Sequence, residues 1–214
     1  MNGMPSQAPL RSDARRNRDQ ILRAAKEIFA ARGLTVPMDE IAREAEVGVG
    51  TLYRRFPDRE ALIRAVFRDS VRAIAAEARA ALEQEPTAWD ALVRIIRQTA
   101  QLRLSMRLHA HRAAVAAIVR EDEEIERYRR EAFDVLDEVM RRAQDEGSLR
   151  PDVGLGDLAV LFVSVVHQPH NLAPEAAELA PGRVLGIMLD GLRARDAGAL
   201  PGRPLTAADL DARP

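Results

Sequence analysis

The chain has 214 residues, 47% apolar and 30% charged, with 32 Lys/Arg against 33 Asp/Glu and no cysteine. That length supports one or two domains with a real core, and the missing cysteines exclude a disulfide scaffold and thiolate metal sites. No apolar run approaches the roughly 18 residues of a membrane span, and no apolar stretch follows the N-terminal arginines as a signal peptide requires, so a reducing cytoplasm without membrane contact is expected.

Residues 1–12, with Gly3, Pro5 and Pro9, read as a disordered arm. Arg11, Arg15, Arg16 and Arg18 lead from it into the first helix, either as a frayed, solvated start or as a basic arm on DNA. The spacing of Ile21, Leu22, Ala25, Ile28 and Phe29 predicts a helix over 13–32, with Gly33 just past its end. Pro37 precedes a second helix whose Met38, Ile41, Ala42 and Ala45 share one face. Gly48 and Gly50 permit a sharp redirection into a short helix over 51–56. Leu52 and Phe56 are its inward pair, and Thr51, Tyr53, Arg54 and Arg55 take the other side. Pro57 stops it. This is the layout of a helix-turn-helix, whose second helix enters the DNA major groove.

Asp58 is a good N-cap for a long helix to about Glu85, carrying Leu62, Ile63, Val66, Phe67, Ile74, Ala78 and Leu82. Thr87 and Asp90 form a capping box for the next, with Trp89, Leu92, Ile96, Thr99 and Leu102. Met106–Val119 reads as a further helix. After the acidic run 121–124, read as a favourable helix N-terminus, Ile125 to Ala143 line one face up to Gly147. Residues 158–166 are apolar on all sides and 184–192 nearly so, which predicts burial on two faces, the second against another copy of the chain, the alternative being two central helices of one monomer core. Residues 199–214, with Pro201, Gly202, Pro204 and Pro214, read as a flexible tail.

The charges are unevenly placed. Residues 1–70 carry 13 Arg/Lys and 10 Asp/Glu, whereas 71–214 carry 19 and 23, so the basic excess lies with the helix-turn-helix. Catalytic patterns are missing: there is no Gly-x-Ser-x-Gly, phosphate loop or dinucleotide fingerprint. His109 and His111 are two apart on a helix and diverge, which makes a poor metal pair. His167 and His170 straddle Pro169 at a helix end, where capping of carbonyls outweighs ligation. No enzyme activity, metal or cofactor is expected.

The ordered set Ile21-Leu22, Ala25, Phe29-Ala30, Arg32-Gly33, Asp39-Glu40-Ile41-Ala42, Val47, Gly50-Thr51-Leu52-Tyr53, Phe56-Pro57 and Arg59-Glu60-Ala61-Leu62 is similar to the N-terminal domain of the TetR family of bacterial transcription regulators. Glu46, Gly48 and Arg55 depart from its commonest pattern, which has glycine, serine and histidine there. Glu46 must tolerate the turn or strain it. The resemblance implies an all-α protein: a helix-turn-helix domain over 13–70 and a helical-bundle domain over 71–198 for ligand binding and dimerisation. It implies a homodimeric repressor that a small apolar molecule releases from a palindromic double-stranded operator. Gly48, Val49, Gly50, Thr51, Tyr53, Arg54, Arg55 and Arg59 are the DNA candidates, arginines and hydroxyls for phosphates, and Val49, Gly50 and one or two of Thr51, Tyr53 and Arg54 for base edges. Trp89, Met106, Phe133, Met140, Phe162 and His167 are the ligand candidates. Leu158, Phe162, Val165, Leu185, Met188, Gly191 and Leu192 are the dimer candidates. A helical scaffold or a helical-bundle enzyme is the competing reading. The first leaves the exposed Tyr53-Arg54-Arg55 without a purpose, and the second lacks clustered acids and histidines.

Overall fold

A computed structural model describes residues 8–106, 122–166, 173–195 and 198–210. Among these residues are eight α-helices and no strand: α1 (Ala8–Arg32), α2 (Met38–Glu44), α3 (Val49–Arg55), α4 (Arg59–Gln84), α5 (Ala88–Met106), α6 (Glu123–Asp145), α7 (Leu155–Val166) and α8 (Pro174–Leu192). A 3-10 turn follows at Ala207–Leu210. The helix expected to run on from Met106 to Val119 and all four histidines lie outside the described residues, as do the side chains of Arg11, Arg15, Met106 and Val165. Contacts divide the chain into two units, 1–70 with 105–123, and 71–104 with 124–214.

In the first unit the helical spacing of α1 puts Ile21, Leu22, Ala25 and Phe29 against Ile41 and Ala42 of α2, Leu52 of α3, and Leu62 and Val66 of α4. Each of the larger of these side chains, the alanines aside, stabilises the unit by about 1.5–3 kcal/mol. Helix α1 starts at Ala8, five residues before the predicted start, because Pro9 falls in the first turn, where a proline breaks no hydrogen bond. It ends where Gly33, at φ 82°, donates its N–H to Phe29 O at 3.0 Å. Asp58 caps α4 by accepting the Ala61 N–H at 2.7 Å, a contribution of about 1 kcal/mol. Lys26 Nζ meets Asp69 Oδ2 at 2.6 Å and ties α1 to α4.

The acidic run before α6 does more than favour a helix start. Asp122 is buried, and Arg68 Nε donates to both of its oxygens, at 2.9 and 2.8 Å. A buried carboxylate needs such a partner.

The second unit is built on Leu92, Ile95 and Ile96 of α5, Val139, Met140 and Ala143 of α6, Leu158 and Phe162 of α7, and Met188 and Leu192 of α8. Half of the capping box is formed, since Thr87 Oγ1 accepts the Asp90 N–H at 3.0 Å, while Asp90 Oδ2 accepts the Thr87 hydroxyl at 2.7 Å. Helix α6 ends in a Schellman turn, with Gly147 at φ 70° and the Ser148 N–H on Ala143 O at 2.9 Å.

The C-terminal segment corrects the expectation of a loose tail. Leu205 O accepts the Gly156 N–H at 2.9 Å, and Asp157 Oδ2 accepts the Leu205 N–H at 3.1 Å. A Cβ on Gly156 would lie 2.6 Å from Thr206 O, and one on Gly154 would collide with Leu205 O, so both glycines are required by this close approach. Asp152 accepts from Arg150 Nε at 2.6 Å and from the Leu200 N–H at 2.8 Å. Asp209 accepts from Arg203 and from the Thr206 N–H. Arg150, then the Leu200 amide, hold the Asp152 carboxyl well below the usual carboxylate range, and Arg203, then Thr206, do the same for Asp209. A depressed folded pKa stabilises the seat fully above the unfolded value of about 3.9 and less as pH falls below it. Residues 198–210 are therefore expected to become protease-sensitive below about pH 4 while resistant at pH 7. Equal cleavage rates at both pH values, with an acid-tolerant protease, would contradict this.

Candidate functional site

The turn between α2 and α3 is a Schellman closure: the Val47 N–H bonds Ala42 O at 3.0 Å and the Glu46 N–H bonds Arg43 O at 3.0 Å. The C′ residue of that motif must be left-handed, and Glu46 stands there at φ 53°. The cost is about 1–2 kcal/mol for a side-chain-bearing residue. Glu46→Gly is expected to stabilise the first unit by about 0.5–1 kcal/mol, once the greater freedom of the unfolded glycine is deducted. The urea midpoint reads this, and an unchanged or lower midpoint would contradict it.

Helix α3 begins two residues before the predicted start. Gly48 is its N-cap, at φ −65° and ψ 140°, and without a side chain it gives no capping hydrogen bond. Its carbonyl accepts the Thr51 and Leu52 N–H groups at 2.8 and 3.1 Å. Buried Leu52 and Phe56 anchor the helix, and Phe56 turns extended before Pro57. The opposite face is open: Val49 is 40% exposed and Tyr53 44%. A Cβ on Gly50 would touch nothing, so internal packing does not require this glycine. Arg54 and Arg55 are exposed and have no carboxylate partner among the described residues. Two guanidiniums without a carboxylate partner thus lie exposed beside a tyrosine on α3.

Arg59, also a DNA candidate, has partners within the chain. Its Nη1 donates to Leu34 O at 2.9 Å and also to Val36 O. It stands at the first residue of α4, facing carbonyls that the α1–α2 turn leaves unsatisfied, so it braces the turn. Nearby, Arg32 Nη1 pairs with Glu40 and fastens the same turn from α1.

In the second unit, Leu158, Phe162, Met188 and Leu192 are spent inside the monomer core, and Leu185 is half-buried against it. Of the other dimer candidates, Gly191 is exposed, and the Val165 side chain lies outside the described residues. Among the described residues of α7 and α8, the large apolar side chains left facing solvent are Val160, Leu161, Leu179, Val184 and Ile187, with Ile187 69% exposed. Val184, Ile187 and Gly191 share one helical face, and Gly191 has open space where a Cβ would be. Of the ligand candidates, Trp89, Met140 and Phe162 lie in one core cluster and Phe133 packs half-buried on it. The Met106 side chain and His167 lie outside the described residues.

Two family descriptions match this architecture. Residues 21–66 match "Bacterial regulatory proteins, tetR family", and residues 85–194 match "Transcriptional regulator SbtR-like, C-terminal domain". The chain belongs to the TetR family of transcriptional regulators. A TetR transcription regulatory protein from Mycobacterium vanbaalenii is 35% identical, with 86% of this chain and 99% of that one covered at a TM-score of 0.64. A TetR transcriptional regulator from Streptomyces coelicolor is 34% identical, with 83% and 98% covered at 0.63. An HTH-type transcriptional regulator of Staphylococcus aureus (strain USA300) is 41% identical over 54 residues, which span 25% of this chain and 29% of that relative. The helix-turn-helix of this TetR-family protein is thus a DNA-binding element, and its relatives are regulators rather than enzymes. No described helix is long and apolar enough to cross a membrane.

Sequence reasoning missed the outward residues of this TetR-family protein's second unit. Along 158–166 apolar residues occupy every phase, so periodicity could not tell the core face from the other. Along α8 the signal was present: Arg183 and Asp190 flank a stripe running from Val184 through Ile187 to Gly191.

Proposed function

We propose that this TetR-family protein is a homodimeric repressor that holds a palindromic operator and leaves it when a small apolar molecule binds the second unit. The observation that carries the dimer is the set of exposed apolar side chains on α7 and α8, Ile187 the most exposed of them. Single exposed apolar residues are ordinary, but a run of them on two neighbouring helices fits a partner surface. Two-fold symmetry of that seam gives two recognition helices and hence an inverted repeat.

On each half-site Arg54, Arg55, Thr51 and Tyr53 hold phosphates, and Val49 with Gly50 approaches the base edges. Arg59 keeps the α1–α2 turn in place behind them. The ligand reading is supported by the aromatic and methionine content of the second core, where Trp89, Phe133, Met140 and Phe162 gather. Helix α4 runs unbroken from Arg59 to Gln84 and is the route for the signal. A ligand acts only through its differential affinity for the two dimer states.

Selection from random duplex DNA tests the operator: an inverted repeat is expected, and an asymmetric site would contradict the dimer. A reporter behind that site should rise when the protein is removed, and a fall would mean activation. A compound that releases the DNA must bind the operator complex more weakly by the same factor, about 5–150-fold, than it binds the free protein. Equal affinity for both would contradict ligand release.

A further inference from the structure

We infer that the second unit carries a small-molecule site apart from its apolar core: an open cleft of about 360 Å³ between the first turns of α5 and the last turns of α8, which takes an amphipathic carboxylate. This goes beyond the proposed release by an apolar molecule and does not depend on it.

The floor is apolar. Trp89 and Leu189 are buried beneath the opening, and Val93 forms a half-buried wall. Gly186 lines the α8 side, and a Cβ there would meet nothing within 4 Å. A glycine in a helix costs about 1 kcal/mol against alanine, and here no close packing within the chain requires it. Its effect is a notch in the α8 wall.

The rim carries two acids and two arginines, but their charges are not equally available. Asp90 is engaged by the Thr87 hydroxyl at 2.7 Å. Asp190 is held by both terminal nitrogens of Arg195, with Nη1 at 3.0 Å. Arg97 is exposed, and neither it nor Arg193 has a carboxylate partner among the described residues. Arg193 instead lies over the Trp89 ring, Cζ 4.5 Å from the centroid. Arg195 neutralises Asp190 while Asp90 keeps its charge, so two guanidiniums outweigh one carboxylate above an apolar floor. That combination suits a molecule with one anionic end and a short aliphatic or monocyclic body. A carboxylate can take a guanidinium in a two-point grip, and the body covers Val93, Leu189 and the notch at Gly186. The volume lies within the range of ordinary small-molecule sites, about 300–1,000 Å³.

Trp89 is the only tryptophan in the chain, so its intrinsic fluorescence reports the cleft without a label. The full-length protein is titrated with octanoate and with phenylacetate, and in parallel with octan-1-ol and 2-phenylethanol as neutral partners. The expected result is a saturable change in Trp89 emission with at least one carboxylate, at least about tenfold tighter than with its alcohol. Arg97→Gln should remove that preference, and Gly186→Val should weaken binding by filling the notch. Both positions are exposed, and thermal unfolding checks that each variant remains folded. No saturable change with either carboxylate would overturn the inference. So would equal affinity for acid and alcohol, or a carboxylate affinity unaltered by Arg97→Gln, which is the behaviour of a ligand lodged in the core instead.

Discussion

Ile187→Asp is expected to yield monomers and to lower operator affinity by roughly 10²–10⁴-fold, although residue 187 is far along the chain from α3. Ile187 is 69% exposed in the monomer and touches little of its core, so the variant should keep its helical content and its thermal transition. In a two-fold dimer the same residue is buried twice, and each burial stabilises the pair by about 1.5–3 kcal/mol. Aspartate removes that contribution and places two unpaired carboxylates near the axis, where desolvation is costly. The loss in DNA affinity follows because a monomer engages one half-site without the effective concentration that the second protomer supplies. Sedimentation equilibrium and fluorescence anisotropy on the selected duplex measure the two effects. The control is Leu192→Asp: Leu192 is buried in the monomer, so that variant should unfold the second unit. If Ile187→Asp sediments as a dimer and binds DNA normally, the seam lies elsewhere.

Arg54→Ala with Arg55→Ala is expected to weaken binding to all sequences alike while leaving the selected motif unchanged. Both guanidiniums are exposed on α3 and lack a carboxylate partner among the described residues, so their loss removes little from the folded protein. Each phosphate neutralised contributes about 0.9 to the slope of log K against log salt. Two arginines from each of two protomers should make that slope shallower by about 3.6. Val49→Ala should act in the opposite manner, keeping the slope and changing which bases are preferred, because an apolar side chain reads thymine methyls and base edges, not charge. An unaltered slope in the double variant would remove these arginines from the phosphate backbone.

The first unit was legible because its signals are local. Gly33, Pro37, Pro57 and Asp58 punctuate the chain within a few residues of the breaks they cause, and the apolar spacing of α1 and α2 has one phase each. What the sequence concealed depends on partners far along the chain. Arg59 reads as one more basic residue beside the recognition helix, yet it serves the carbonyls of Leu34 and Val36. Asp122 reads as part of an acidic helix start, yet its partner is Arg68. The Pro- and Gly-containing stretch after 199 reads as a flexible tail, yet residues 199–210 are seated on the second unit. Its seat is supplied some fifty positions earlier by Asp152, Gly154, Gly156 and Asp157, which no periodicity can announce. On α7, apolar character on every side hides the phase that the packing of Leu158 and Phe162 into the second core reveals.

The central claim is that this TetR-family protein grips a symmetric duplex as a dimer through α3. The most direct measurement is the stoichiometry of the complex on the duplex recovered by selection, by light scattering during size-exclusion chromatography, combined with an anisotropy titration across salt. The account predicts two chains per duplex, an inverted repeat in the recovered site, and log K falling linearly with log salt. One chain per duplex, or binding indifferent to salt, would contradict it.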